Sequence, residues 1–331
     1  MSELRYNPML KTWTMVASNR QGRPDMPKDW CPFCPGSGKV PEEYDVHIYN
    51  NDFPALTQSP GLPDVESSGL YKVSENYGKC EVLLYSPEHN KTLPQLGVEH
   101  IIKLINLWSN RFEEISKDKK IKYIFEFENR GAEVGVTMPH PHGQLYGYDF
   151  VPLKIKTELD SAKEYYEENG SCMICDMNKE EEKFEKRIIS ENDSFMAYLP
   201  FFTDYPYGVF IVSKNHKGNF TEFDDKEKYD LAVILKNVTG AFDKLFDKLF
   251  PYMMCIHQTP VNCEEYSNSS EYYHFHIEFY PPLRDANRMK FYASSEMGAW
   301  AACNPLSVED TAVTLRTAYK RFIEEGEGEN K

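Results

Sequence analysis

The chain of 331 residues has no long apolar run. Its longest, at 208–212 and 231–235, fall far short of the ~20 residues that a membrane-spanning helix needs. Positive charge is also scarce: 37 Lys and Arg stand against 52 Asp and Glu, a formal net charge of −15. Nucleic-acid backbones and anionic bilayers attract basic surfaces, so neither is an expected partner. A small anionic substrate is still compatible, because a few Arg residues can build a local positive pocket on an acidic protein. There is no low-complexity segment, and the opening MSELRYNPML lacks a basic start followed by an apolar stretch. The expected location is therefore cytoplasmic. Thiols stay reduced there, so the eight Cys read as metal ligands or buried thiols before disulfides. Apolar residues at 41% and aromatics at 14% are enough for a sizeable core, and the length suggests two domains.

An internal repeat organises the sequence. The first half has Cys31-Pro-Phe-Cys34, a strand-like run at 81–85 ending in Ser86-Pro-Glu-His89, a helix-period stretch, a β-rich run at 122–128, and His140-Pro-His142-Gly-Gln144. The second half has Cys172-Met-Ile-Cys175, a strand-like run at 207–212 ending in Ser213-Lys-Asn-His216, a helix-period stretch, a β-like run at 253–256, and His274-Phe-His276-Ile-Glu278. Both helices show one apolar stripe: Ile101, Leu104, Ile105, Trp108, Phe112 and Ile115 in the first, and Leu231, Ile234, Leu235, Val238, Phe242, Leu245 and Leu249 in the second. Such stripes face a core more often than a partner. The expected fold class is α+β, built as two half-units, 1–153 and 154–331. The polar stretch 154–185 reads as a partly helical connection, and 324–331 as a frayed tail.

A CxxC pair places two thiolates on one tight turn, and two His from strand ends can complete a tetrahedral set. The candidates are Cys31, Cys34, His89 and His140, and then Cys172, Cys175, His216 and His274. Recurrence of the whole order argues against chance, although buried thiols or a redox pair would also use a CxxC. Zinc is the default for two thiolates and two imidazoles, with one or two ions in all and iron an option at the second site. A site closed by four protein ligands is structural and leaves no position for substrate. The remaining Cys80, Cys255, Cys263 and Cys303 read as buried thiols.

His140-Pro141-His142-Gly143-Gln144 carries the sharpest chemistry. Residues two apart on an extended strand share a side, so one imidazole can be held by metal while its neighbour stays oriented toward substrate. Gly143 is expected to let backbone approach a bulky anion. Gln144 offers an amide donor that does not titrate. His142, partly neutral at pH 7, is a competent nucleophile toward phosphorus.

With the segment running from Ser86 through His89, Lys91 and Thr92 to Leu96, this motif resembles the galactose-1-phosphate uridylyltransferases, a branch of the histidine-triad superfamily. Arg5-Tyr-Asn-Pro8, Arg20-Gln-Gly-Arg23, Asn51-Asp52-Phe53-Pro54, Phe127-Glu-Asn-Arg-Gly131 and Phe279-Tyr-Pro-Pro-Leu283 strengthen the likeness. The resemblance implies a duplicated histidine-triad-like fold, each half with an antiparallel sheet and packed helices. It also implies a ping-pong exchange of UMP between UDP-glucose and galactose 1-phosphate through a uridylyl-His142 intermediate. Gln144 and Thr137 would contact the phosphoryl group. Arg20, Arg23 and Asn129 would hold the phosphates, Asn51 and Asp52 the nucleoside, and Lys290 and Glu296 the hexose. A homodimer is the implied assembly. On composition alone, Arg20 and Arg23 read as solvated charge and Asp52 as a turn cap.

The sequence departs from the family at two places. Some members build the second metal site from a Glu and three His. Here Glu158, His257 and His276 could supply part of it, but Glu278 stands where a His is expected, so the Cys172 set is preferred. The hexose region reads Ser294-Ser295-Glu296 after Lys290-Phe291, without the family's Gly-Tyr-Glu. Two other functions compete: a nucleotide-sugar phosphorylase, in which inorganic phosphate attacks the same intermediate, and a zinc-stabilised nucleotide-sugar binding protein without turnover.

Overall fold

A computed structural model describes residues 2–22 and 30–329. Among them the first-half strands are β1 (Ser2–Asn7), β2 (Thr12–Ala17), β3 (His47–Asn50), β4 (Val73–Glu75), β5 (Gly78–Leu84), β6 (Tyr123–Arg130) and β7 (His142–Tyr148), with helix α1 (Val98–Ser116) between β5 and β6. Helices α2 (Leu153–Asn169) and α3 (Met173–Phe184) lead into the second half. There follow β8 (Ile188–Glu191), β9 (Phe195–Tyr198), β10 (Phe210–Ser213), α4 (Asp225–Leu245), β11 (Tyr252–His257), β12 (His276–Tyr280), α5 (Ser294–Ala299) and α6 (Val308–Glu329).

The repeat becomes one sheet. Nine antiparallel strands run in the order β3-β5-β7-β6-β11-β12-β10-β9-β8. The order mirrors about the β6–β11 seam: β7 answers β12 and β5 answers β10. Directly paired residues share a face. One row therefore crosses both halves through Val82, Gln144, Phe127, Cys255, Glu278 and Phe210. The fold class is the duplicated α+β arrangement, with the two half-sheets fused edge to edge. Fusion pairs two edge strands that would otherwise expose unpaired backbone groups. The motifs do not reveal this seam, nor the small β2-β1-β4 sheet.

Helices α1 and α4 cover one face. The stripe from Ile101 to Ile115 is buried against Leu83, Ile124 and Leu145, and that of α4 against Ile211, Ile277 and Phe279. A reciprocal cap starts α4. Asp224 accepts from Glu227 N–H at 2.8 Å, and Glu227 accepts from Asp224 N–H at 2.9 Å. The stripe was expected to reach Leu249, but α4 ends at Leu245. Asp247 takes a φ of 52°, the chain turns toward Pro251, and Leu249 is 50% exposed. The stretch 154–185, expected as a partly helical connection, is helical through most of its length as α2 and α3, and the tail expected to fray from 324 instead continues α6 as helix to Glu329. Helix α2 packs Ile155, Leu159 and Ala162 against the other face, beside Tyr146 and Tyr148. No described helix is long and apolar enough to cross a membrane.

Candidate active site and metal centres

Each CxxC pair meets two imidazoles. In the first half Cys31 Sγ lies 3.6 Å from His140 Nδ1, and Cys34 Sγ lies 3.4 Å from His89 Nδ1 and 3.6 Å from His140 Nδ1. In the second, Cys172 Sγ is 3.7 Å from His274 Nδ1, and Cys175 Sγ is 3.6 Å from His216 Nδ1 and 3.4 Å from His274 Nδ1. A tetrahedral ion with ~2.3 Å bonds to sulfur and ~2.05 Å bonds to nitrogen has S···N edges of about 3.6 Å. Both sets have that size, and both could hold a metal ion.

The outer contacts repeat as well. His140 Nε2–H donates to Ser86 O at 2.8 Å, and His274 Nε2–H donates to Ser213 O at 2.9 Å. Each bond fixes the tautomer that turns an Nδ1 lone pair toward the thiols. Ser86 and Ser213 stand three residues before His89 and His216, so the spacing of these serines repeats with that of the histidines. Tyr44, also not foreseen, donates its hydroxyl to Phe33 O at 2.6 Å and touches His140 Nε2 at 3.1 Å. Phe33 N–H donates to Cys31 Sγ at 3.4 Å.

The titration behaviour suits a cation. Burial, followed by the neighbouring imidazoles His89 and His142, lowers His140 to about 4, so that ring is neutral. Burial and the Cys31 sulfur push the Cys34 thiol up to about 11. In the second pair the hydrogen bond between the two sulfurs holds Cys172 down and, with burial, drives Cys175 up. Two adjacent thiols cannot both ionise cheaply without a positive charge between them, and a divalent ion supplies it.

The first imidazole of each HxH belongs to these clusters; the second does not. His142 Nδ1–H donates to His140 O at 2.7 Å, which places the lone pair of the neutral ring on Nε2. The ring is half-buried at the start of β7, with Gln144 and Tyr146 following on the same face. Gly143 is also required by packing. A Cβ there would lie 2.3 Å from Tyr85 Oη and 3.1 Å from Phe127 O, so the glycine admits Tyr85 beneath the strand.

A cavity of about 270 Å³ opens beside His142, and its lining includes Asn129, Thr137, Lys91, Glu128 and Arg130. The first two were expected there. The others were not: Lys91 follows His89, and Glu128 and Arg130 flank Asn129. Arg20 stands instead at the Tyr146 hydroxyl and Cys80, farther along the His142 face. Arg23 lies outside the described residues. Asn51 accepts from Phe53 N–H at 2.9 Å and Asp52 from Tyr49 O–H at 2.8 Å, so both brace their own turn. Neither lines the cavity, nor do Lys290 and Glu296. The Lys290 ammonium sits over Tyr292 at 4.2 Å and Tyr205 at 4.8 Å, and Glu296 accepts from Ala293 N–H at 3.2 Å. Glu158, His257 and His276 form a third cluster around Glu278, beside a second cavity of about 430 Å³.

A fused pair of antiparallel half-sheets, each starting an inner strand on an HxH held against a CxxC, defines a duplicated histidine-triad architecture. Comparisons with known proteins agree. The family model for the N-terminal domain of galactose-1-phosphate uridyl transferase matches residues 1–152, and that for the C-terminal domain matches 158–319. The chain is 42% identical over 317 residues to a galactose-1-phosphate uridylyltransferase of Thermotoga maritima, covering 96% of this chain and 98% of that protein. It is 33% identical to the Haemophilus influenzae enzyme of that name, covering 88% of each. A solved uridylyltransferase superposes with a TM-score of 0.88 at 31% identity, covering 96% of this chain and 99% of the other. An ADP-glucose phosphorylase from Arabidopsis thaliana superposes with a TM-score of 0.73 at 26% identity, covering 96% and 98%. This chain belongs to the galactose-1-phosphate uridylyltransferase family.

Proposed function

We propose that the chain transfers UMP between UDP-glucose and galactose 1-phosphate, with His142 as the covalent carrier. The observation that carries this reading is the 2.7 Å contact from His142 Nδ1 to His140 O. It holds the proton on one nitrogen and directs the lone pair of the other away from the strand backbone. In the first half-reaction His142 Nε2 bonds to the α-phosphorus, and the phosphorus–oxygen bond to glucose 1-phosphate breaks. The leaving group departs as an anion and takes no proton. Galactose 1-phosphate then attacks the same phosphorus through a phosphate oxygen, and the N–P bond electrons return to the imidazole. No strong acid is needed; the protein positions the reactants and stabilises charge on the phosphoryl oxygens. Gln144 and Thr137 serve those oxygens, Asn129 and Arg20 the flanking phosphates, and Arg23 joins them. Asn51 and Asp52 shape the nucleoside turn.

The same reading divides the chain at 153/154 into a half that carries the nucleophile and a half that carries the second cluster. Zinc in both Cys2His2 sets is the proposed metal, acting as a structural cross-link. Lys290 and Glu296 lie away from the His142 cavity of their own chain, which supports a homodimer in which the partner copy brings them to the hexose. A soluble cytoplasmic location fits this chemistry. The likeness to the Arabidopsis phosphorylase keeps one alternative in view, in which inorganic phosphate takes the second step.

The test incubates the protein with UDP-glucose alone. A uridylyl adduct on His142, absent in H142A, is expected. No adduct, or one that survives H142A, refutes the nucleophile. Galactose 1-phosphate should then discharge the adduct to UDP-galactose faster than inorganic phosphate discharges it; the reverse order would favour the phosphorylase.

A further inference from the structure

The family resemblance suggests a metal on Glu158, His257 and His276, and their ligand atoms do lie within 4.8 Å of one another. The surroundings argue otherwise. Lys154 Nζ lies 2.5 Å from Glu278 Oε2 and 3.5 Å from Glu158 Oε1, and it hydrogen-bonds the Tyr280 hydroxyl. His257 Nδ1 is 2.8 Å from Glu158 Oε2, and its Nε2 is 3.5 Å from Glu278 Oε2. His276 Nε2 is 3.3 Å from Glu278 Oε1, and Tyr273 O–H donates to Glu158 Oε2 at 2.8 Å. The carboxylate oxygens that would receive an ion are thus engaged by an ammonium, two imidazoles and a hydroxyl.

A third His is not within reach either. His274 Nδ1 faces the two thiols at 3.4 and 3.7 Å, and its Nε2–H is spent on Ser213 O at 2.9 Å. Access is no obstacle, because Lys154, Glu158, His276 and Glu278 all line the 430 Å³ cavity. What opposes a dication is charge: the Lys154 ammonium already stands within ion-pair distance of both carboxylates.

We infer that Lys154 fills the cation position of the Glu158–His257–His276–Glu278 cluster, making it a metal-free ionic clasp between α2 and β12 rather than a third metal centre. The inference rests on the reading of both Cys2His2 sets as metal sites, since one of them claims His274. It predicts that removing the ammonium creates a divalent-cation site from residues already in place.

The test uses Co2+ as probe on the purified holoprotein. Wild type, K154R and K154M are incubated with excess Co2+, desalted and assayed for metal content and absorption. Cobalt on a Cys2His2 set shows intense thiolate charge-transfer bands, whereas cobalt on carboxylates and imidazoles shows only weak ones. Wild type and K154R should retain no cobalt of the weak kind. K154M should retain one equivalent, bound at least ~100-fold more tightly than wild type binds it. Weakly absorbing cobalt retained by wild type overturns the inference, as does a folded K154M that gains none. Should K154M fail to fold, wild type and K154R decide it. Fewer than two zinc ions per untreated chain would instead count against the Cys2His2 reading.

Discussion

Gln144 and Glu278 occupy mirrored places in one row of the fused sheet, two residues after His142 and His276. Making the first like the second, Q144E, isolates the charge at that place, because the two side chains have nearly the same shape. Gln144 shares a face with His142 and sits ~7 Å along the strand, so its side chain reaches a phosphoryl group bonded to Nε2. A carboxylate ~4 Å from a phosphoryl charge costs about 4 kcal/mol at the effective dielectric constant of ~20 usual near a protein surface. At about 1.4 kcal/mol per decade, this slows uridylylation of His142 roughly 10³-fold. Q144A removes the amide without adding charge and should cost less, about 10–100-fold. The assay is single-turnover formation of the His142 adduct from UDP-glucose, followed by rapid quench from pH 5 to 8. The Q144E deficit should shrink toward that of Q144A at the acid end, as the new carboxyl takes a proton. Equal rates for Q144E and Q144A at pH 8 would refute the placement of Gln144 against the phosphoryl oxygens.

Three further outcomes follow from the structure. Glu126 is buried at the seam beside Gln258, and burial raises it to about 8 from an ordinary 4.5. The folded chain therefore holds a proton that the unfolded chain releases, and stability should fall as pH rises from about 5 to 8; E126Q should flatten that decline in denaturant titrations. Y44F loses the hydroxyl that braces the first Cys2His2 set and should release its metal to a competing chelator roughly 10-fold more readily, with an unchanged circular-dichroism spectrum. C175S should lose one metal equivalent and unfold roughly 10 °C or more below wild type, because a structural ion contributes folding free energy directly.

The sequence makes legible whatever depends on local pattern. The stripes of α1 and α4 appear because a helix facing a core must repeat its apolar residues every three or four positions. The two Cys2His2 groups appear because a CxxC and the strand-end His positions recur in one order. Long-range pairing is not legible in this way. The β6–β11 seam brings Phe127 beside Cys255 across more than a hundred residues, and neither strand carries a sign of its partner. Asn51 and Asp52 show another limit: their side chains close their own turn, which composition alone suggests, and only the family likeness points them at a nucleoside. Lys154 opens an unremarkable polar stretch, and its contact with Glu278 exists only because α2 folds back over β12.

The duplication explains why the halves differ so little in scaffold and so much in chemistry. Each HxH strand is positioned by the same devices: a first imidazole held against a CxxC and oriented by a serine carbonyl, and a second imidazole whose Nδ1–H is given to the carbonyl of the first. His276 Nδ1 contacts His274 O at 2.9 Å, as His142 Nδ1 contacts His140 O at 2.7 Å. The bond proposed to prepare His142 for attack is therefore insufficient by itself to make a phosphoryl-transfer site, since His276 has it too. What separates them is the field around Nε2. His142 opens to a cavity shared with Lys91, Asn129, Thr137 and Arg130, whereas His276 is buried with its Nε2 3.3 Å from the Glu278 carboxylate. At His276 the Glu278 carboxylate already stands against Nε2, where a phosphoryl group would have to approach, while the His142 side offers amide, hydroxyl and cationic groups. The backbone tautomer lock and the groups facing Nε2 act as separate requirements, and on the proposed reading only the first half of the sheet meets both.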